Sequence, residues 1–216
     1  AIAWSIAPNL TATAGYTRQE NNSDGVLWGA LPLLYSDGSR VDYPVAASTS
    51  APWTFWNITD QSAYAEIAFA DQGGWQAKGR FTYNQRTSLA KLLYAYGYPD
   101  RATGLGVGGM TGIYRSPSHQ YLGDFYASGP VFLFGRRHEL ALGVSTASVN
   151  SKEYEAFSDV FPSYPSVSEW AQDGLRLTEP AYPDEYLAEN VDDRLTRVYG
   201  AFHANLTDRF KAVLGA

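Results

Sequence analysis

Trp75-Gln76-Ala77-Lys78-Gly79-Arg80-Phe81-Thr82-Tyr83-Asn84 alternates strictly. Trp75, Ala77, Gly79, Phe81 and Tyr83 fall on one face, and Gln76, Lys78, Arg80, Thr82 and Asn84 on the other. A period of two places these residues in a strand. The apolar face opens on Trp, closes on Tyr and is small between them. The opposite face carries two cations that no ordinary sandwich core would accept. A soluble sheet with Lys and Arg in water has this pattern. So does a membrane-spanning barrel strand, with aromatic residues at both lipid interfaces and a wet, charged lumen. The rest of the chain discriminates between them.

Alternation of the same kind recurs at 1–6, 10–20, 58–69, 119–130, 138–150, 196–206 and from 210 onward, predicting about eight strands. Short turns lie at 7–9, 70–74, 134–137 and 207–209. Long connections are predicted at 21–57, 86–118 and 151–193. A soluble meander has no reason to lengthen every second connection, and structureless loops of that size count against a compact soluble domain. Outer-membrane barrels do have short periplasmic turns and long extracellular loops. The first and last segments read as strands already in progress, as if the chain were part of something larger, and no signal peptide is recognisable at the N-terminus.

Composition agrees. Of 216 residues, aromatic types make up 15% and charged types only 18%, with 20 Gly, which favours strands and loops. A net charge of −6 argues against a nucleic-acid partner, which requires a basic face. With no Cys, the sequence has no disulfide, thiolate metal site or Cys nucleophile. No apolar run reaches the length of a transmembrane helix, but barrel spans are about 10 residues of much weaker signal.

No constellation specifies catalysis. Gly104-x-Gly106-x-x-Gly109 matches the dinucleotide fingerprint as a string, but no helix pattern follows it, so it reads as a loop. His119, His138 and His203 stand singly, without zinc-ligand spacing. No Ser occupies a nucleophile elbow. The chain is therefore read as a non-enzyme. The aromatic residues of the long connections remain: Trp28, Tyr35, Trp53, Trp56, Tyr94 and Tyr96. Either the loops pack on one another through these rings, or the rings form a cradle for a large amphipathic ligand. Flat side chains with two rotatable angles suit the second role.

Several stretches resemble one family. Trp28 to Leu33, Ser36-Asp37-Gly38-Ser39, Pro52 to Trp56 and Leu92 to Asp100 look like extracellular segments of TonB-dependent ferric-siderophore receptors. The most specific piece is Asp124-Phe125-Tyr126-Ala127-Ser128-Gly129-Pro130 followed by Leu133-Phe134-Gly135-Arg136-Arg137-His138-Glu139-Leu140. It resembles the hairpin of the ferripyoverdine and hydroxamate receptor subgroup, whose turn usually reads Gly-Arg-Glu-His-Glu-Leu; Arg137 stands where that pattern has Glu. Tyr199 to Phe202 and Leu206 to Arg209 also fit.

The resemblance implies an all-β fold: about eight antiparallel transmembrane strands of a 22-strand type barrel. Residues 1–216 would form a partial barrel domain without the plug, in a bacterial outer membrane. It implies a ferric siderophore as ligand, with iron present only as that chelate and no other cofactor. The remaining partners would be outer-membrane lipid and a TonB-type energy-coupling protein acting through the plug. Trp28, Tyr35, Trp53, Trp56, Tyr94 and Tyr96 are the candidate ligand contacts, chosen by chemistry and loop position, and no residue is assigned to catalysis or to a metal. A self-contained eight-strand barrel with a structural or adhesive role remains open. It requires the first and last strands to pair with each other.

Overall fold

The computed structural model describes residues 1–216, the side chain of Asp173 excepted. Eight antiparallel strands form one sheet in sequence order: β1 (Ile2–Ala7), β2 (Leu10–Asp24), β3 (Phe55–Ala70), β4 (Gln76–Tyr96), β5 (Gly108–Leu133), β6 (Arg136–Phe157), β7 (Tyr186–Asn205) and β8 (Lys211–Gly215). The order is linear, and β1 and β8 are not paired with each other. Nothing in this open sheet favours the self-contained eight-strand barrel. Among the described residues no helix is long and apolar enough to cross a membrane, which says nothing about strands.

The registers turn the alternation of single strands into two continuous faces. Ala12, Ile67, Gly79, Phe125, Val144 and Val198 share one row, with Tyr16, Ala63, Tyr83 and Tyr121 in another. Most of the large side chains on this face are exposed, including Trp4, Ile67, Phe81, Phe125, Leu142 and Val198. Burying a large apolar side chain is worth about 1.5–3 kcal/mol. A dozen half-exposed ones therefore favour a lipid surround over water by on the order of 10 kcal/mol.

The band has an upper limit. Directly beyond Tyr16, Tyr83 and Tyr121 the same face turns polar, with Arg18, Gln61, Gln85 and His119. The tyrosine hydroxyls reach into this polar row: Tyr16 donates to Gln61 Oε1 at 2.7 Å, and Tyr83 lies 2.8 Å from His119 Nδ1. At the other limit the Trp75 ring lies flat on Gly129, whose missing side chain leaves room for it. Trp75 to Tyr83 covers about 26 Å along a strand, or roughly 20 Å of height at barrel tilt, close to the lipid band of known barrels.

The opposite face is polar. Glu66 receives Lys78 Nζ at 2.9 Å and Arg80 Nη1 at 3.5 Å, and the Arg80 guanidinium lies 4.0 Å above the Tyr64 ring. Tyr199 reaches Asp124 Oδ2 at 3.4 Å. Lys78 and Arg80 thus stand on the lumen side, as their alternation predicts.

Two predicted boundaries are corrected. β4 continues beyond Asn84 to Tyr96, and β5 begins at Gly108 rather than near His119, so the second connection shrinks to 97–107. The third connection, 158–185, is not structureless; it contains α1 (Val167–Asp173). The long-short rhythm persists, but only the first connection, 25–54, stays long and without a helix or strand. The strands run to 21, 26, 22 and 20 residues for β4 to β7, about twice a membrane span. The excess lies on the long-loop side. Within it Pro117 cannot donate to the ladder, and β5–β6 pairing lapses at Ser116 and Pro117.

The buried hydrophobic cluster lies in the loops, not between sheets. Val41 and Ala51 of the first loop meet Tyr164, Val167, Trp170, Ala171 and Leu175 of the third, over Leu93 and Ala95 of β4. Tyr164 donates to the Thr49 carbonyl at 2.8 Å, and Trp170 sits edge-on to its ring. Glu169 accepts from the Ser166 N–H at 2.9 Å, which anchors the start of α1.

The two faces can be told apart by charge insertion. Leu142→Arg, on the apolar face, is expected to cost about 2–4 kcal/mol in urea unfolding from lipid vesicles. Ser145→Arg, three residues on and on the polar face, should cost little. Equal effects would refute the assignment of faces.

Candidate ligand-binding wall

Even-numbered residues of β4 and β5 line the polar face, and continuing that parity past the lipid band brings up aromatic side chains. Tyr94 and Tyr96 come from β4 and Tyr114 from β5; Phe157 ends β6. Trp28 comes from the first loop and forms an isolated parallel bridge to Tyr94. Its ring meets Tyr94 edge-on at 5.6 Å and Tyr114 at 5.3 Å, and Tyr114 meets Phe157 at 5.8 Å. Trp56, in β3, stands on the same face and donates its indole N–H to Ser88 Oγ at 2.9 Å.

Small residues make this wall possible. A Cβ on Gly108 would lie 2.9 Å from the Tyr96 ring, and one on Gly112 would crowd Tyr114 and Phe157. Gly97, at φ +91°, lets the chain leave β4 directly after Tyr96; a side chain there would strike the Gly106 carbonyl. The run Gly104–Gly109 is thus a turn leading into a strand. Without a following helix, the dinucleotide reading has no structural support.

The six predicted residues divide. Trp28, Trp56, Tyr94 and Tyr96 share the polar face, and Trp56, Tyr94 and Tyr96 are each more than a third exposed. Trp56, Tyr94 and Tyr96 lie on strands, not in loops as predicted. Tyr35 and Trp53 instead pack against the loop cluster, and the Trp53 indole N–H donates to the Leu177 carbonyl at 2.9 Å. The loop-packing expectation therefore holds for Tyr35 and Trp53, while Trp56, Tyr94 and Tyr96 stay exposed on the polar face.

Tyr114 and Phe157 carry no signal of their own in the sequence, because they lie in 86–118 and 151–193, whose pattern predicts connections. Parity carried back from Asp124 and Tyr126 through Gln120 and Ser118 would have reached Tyr114. Beside the rings lie Glu153 and Glu155 of β6, with Glu189 of β7 opposite Glu153. Partial burial raises the Glu153 carboxyl above its ordinary range, and the neighbouring Glu155 and Glu189 raise it further. Burial, then the Glu155 and Glu153 carboxylates, also raises the Tyr114 hydroxyl, so it stays protonated and able to donate. Tyr186 donates to Glu155 Oε2 at 3.1 Å.

Histidines play local parts. His138 is buried, accepts the Asn205 N–H at Nδ1 over 3.1 Å, and so carries its proton on Nε2, 3.0 Å from the Leu133 carbonyl. No cluster of three His, Asp or Glu positioned for a metal occurs among the described residues.

No family profile matches the chain. Individual proteins do. The chain is 25% identical over 229 residues to the ferripyoverdine receptor of Pseudomonas aeruginosa, covering 99% of this chain and 26% of that protein. It is 23% identical to the ferric-pyoverdine BN7/BN8 receptor of Pseudomonas putida, covering 98% of this chain and 26% of the relative. The crystal structure of the Pseudomonas aeruginosa ferripyoverdine receptor of the outer membrane, bound to ferripyoverdine, superimposes with a TM-score of 0.84 at 22% identity, over 99% of this chain and 28% of that one. The sheet is thus a barrel segment of that kind. The chain spans about a quarter of the length of the curated relatives it matches.

The raised Glu153 carboxyl has a testable sign. Its native form binds a proton more readily than the unfolded chain does. Its contribution to stability is present below the ordinary 4.5 and lost as pH rises through the native value. Glu153→Gln should therefore raise the thermal midpoint in neutral and mildly alkaline buffer and have no effect in acid. An unchanged midpoint at neutral pH would contradict the crowding.

Proposed function

We propose that this chain supplies barrel wall and extracellular loops to an outer-membrane receptor for uptake of a ferric siderophore. The observation that carries the reading is the aromatic wall on the lumen face above the lipid band: Trp28, Tyr94 and Tyr114, with Trp56 and Tyr96 beside them. Its position at the outer mouth suits capture of a ligand arriving from outside. Similarity to ferripyoverdine receptors along 99% of this chain supports the same class, and those relatives are receptors, not enzymes.

The task is capture without reaction. The siderophore surrounds the iron with its own donors, so the wall has to offer flat faces and hydroxyl groups, not metal ligands. Trp56 and Tyr96 present exposed rings that can cover apolar parts of a chelate. Tyr94 is held in place by Trp28, whose ring Tyr114 backs in turn. Aromatic rings fixed in this way lose little entropy on binding, and buried Trp and Tyr contacts are typically worth 2 kcal/mol or more. Tyr35 and Trp53 act indirectly, by holding the loops that shape the mouth. Release inward, with energy from a TonB-type partner acting through a plug, is proposed for the whole receptor.

Ferripyoverdine binding to the intact receptor, followed by fluorescence quenching, separates wall from cap. Trp56→Ala with Tyr94→Ala should weaken binding at least about tenfold while leaving the thermal midpoint nearly unchanged. Trp53→Ala should lower the midpoint by several degrees, because it removes a ring packed on the loop core. If the wall pair leaves affinity unchanged for ferripyoverdine and for a panel of other ferric hydroxamates, the wall is not the capture surface.

A further inference from the structure

The short-turn ends of the sheet are not alike. The β3–β4 turn is polar, Asp71-Gln72-Gly73-Gly74. The β5–β6 turn carries Phe132, Leu133 and Phe134, and Phe134 is 99% exposed. Phe134 is also, among the described residues, the one non-glycine residue at positive φ, +56°. Two-residue turns of this shape favour Asn or Asp before Gly, and a bulky side chain there is strained. The fold itself gains nothing from an aromatic ring in this place.

The next turn is tied to this one and repeats its chemistry. Arg136 pairs with Asp208 at 2.7 Å, and Asn205 donates to the Arg137 carbonyl at 2.6 Å. Leu206 and Phe210 of the β7–β8 turn are exposed beside it. Leu133 lies on the same face as Phe125 and Tyr121, so the apolar patch continues the lipid-facing band past the level of Trp75. Arg136, paired with Asp208, and Arg209, next to Phe210 in the chain, flank the patch.

From these observations we infer that the β5–β6 and β7–β8 turns form an interfacial anchor for anionic phospholipid of the inner leaflet. Phe134, Leu133 and Phe210 seat at the headgroup level, just beyond the acyl band that Trp75 bounds, and Arg136 and Arg209 meet the headgroup phosphates. An apolar tip rimmed by arginines is the side-chain pattern that a charged lipid interface selects. Continuity with the lipid-facing band favours lipid over a periplasmic protein as the occupant. The inference rests on the reading of the sheet as a membrane-spanning wall.

This chain has no Cys, so once any cysteine elsewhere in the receptor is replaced by Ser, single cysteines report on individual positions. In the intact receptor, Phe134→Cys, Gln72→Cys and Phe125→Cys are labelled with bimane, and heat-modifiable migration confirms folding of each. The receptors are reconstituted in phosphatidylcholine vesicles containing phosphatidylglycerol. Labels at 125 and 134 should be shielded from iodide and the label at 72 accessible. Brominated phosphatidylglycerol should quench the label at 134 about fivefold more effectively, relative to brominated phosphatidylcholine, than it does after Arg136→Gln with Arg209→Gln. An accessible label at 134 beside a shielded one at 125 overturns the anchor alone. Accessible labels at both positions overturn the membrane-spanning reading beneath it. Shielding at 134 that appears only after adding periplasmic protein overturns the anchor in favour of a protein partner, and shielding without preference for phosphatidylglycerol refutes the arginine contacts.

Discussion

A bilayer interior offers no hydrogen-bonding partner, so every backbone N–H and C=O inside it must be paired within the protein. In this chain the sheet ladders meet that demand, and the alternation of side chains then decides what each face touches. Apolar residues from Trp4 on β1 to Val198 on β7 occupy one face because lipid lies there. Glu66, Lys78 and Arg80 occupy the other because water and protein lie there. Both turn lengths and loop lengths follow, since the chain reverses tightly at one membrane surface and is free to elaborate at the other.

The same constraint sets what the sequence reveals. Inside the band the two faces differ in solvent, so period two is visible and strand cores such as Ala77–Tyr83 are legible. Beyond Tyr83 both faces of Gln85-Arg86-Thr87-Ser88 meet water, and the contrast vanishes although the strand continues. From Leu89 to Ala95 the contrast vanishes again for the opposite reason. The loop cluster covers Leu93 and Ala95 on one face, and aromatic rings stand over the other. Strand limits were lost wherever the environments of the two faces matched. For the same reason Tyr94 and Tyr96 read as loop residues, and Tyr114 and Phe157 went unnoticed. The division between the wall and the loop core could not be read from composition, because Trp53 and Trp56 belong to one aromatic run and are separated only by where β3 begins.

The loops do in the outer region what lipid does below. Tyr164, Trp170 and Val41 bury one another without a second sheet, and Trp53 is fixed by a carbonyl of the third loop. This packing steadies the upper part of β4 from outside while Trp28 reaches over its inner side to Tyr94. A change in the loop core would therefore be felt at the wall through strand position, without any direct contact to a ligand.

The height of the extended strands has an electrostatic consequence. Tyr94 lies eleven positions beyond Tyr83 on one strand, which at barrel tilt places its ring roughly 25 Å above the lipid boundary. The Debye length at physiological ionic strength is about 8 Å. A solute at the wall therefore stands some three screening lengths from the charged membrane surface and feels little of its potential. An anionic and a cationic solute therefore reach this height on nearly equal terms, and any difference between them there is set by the carboxylates and rings alongside.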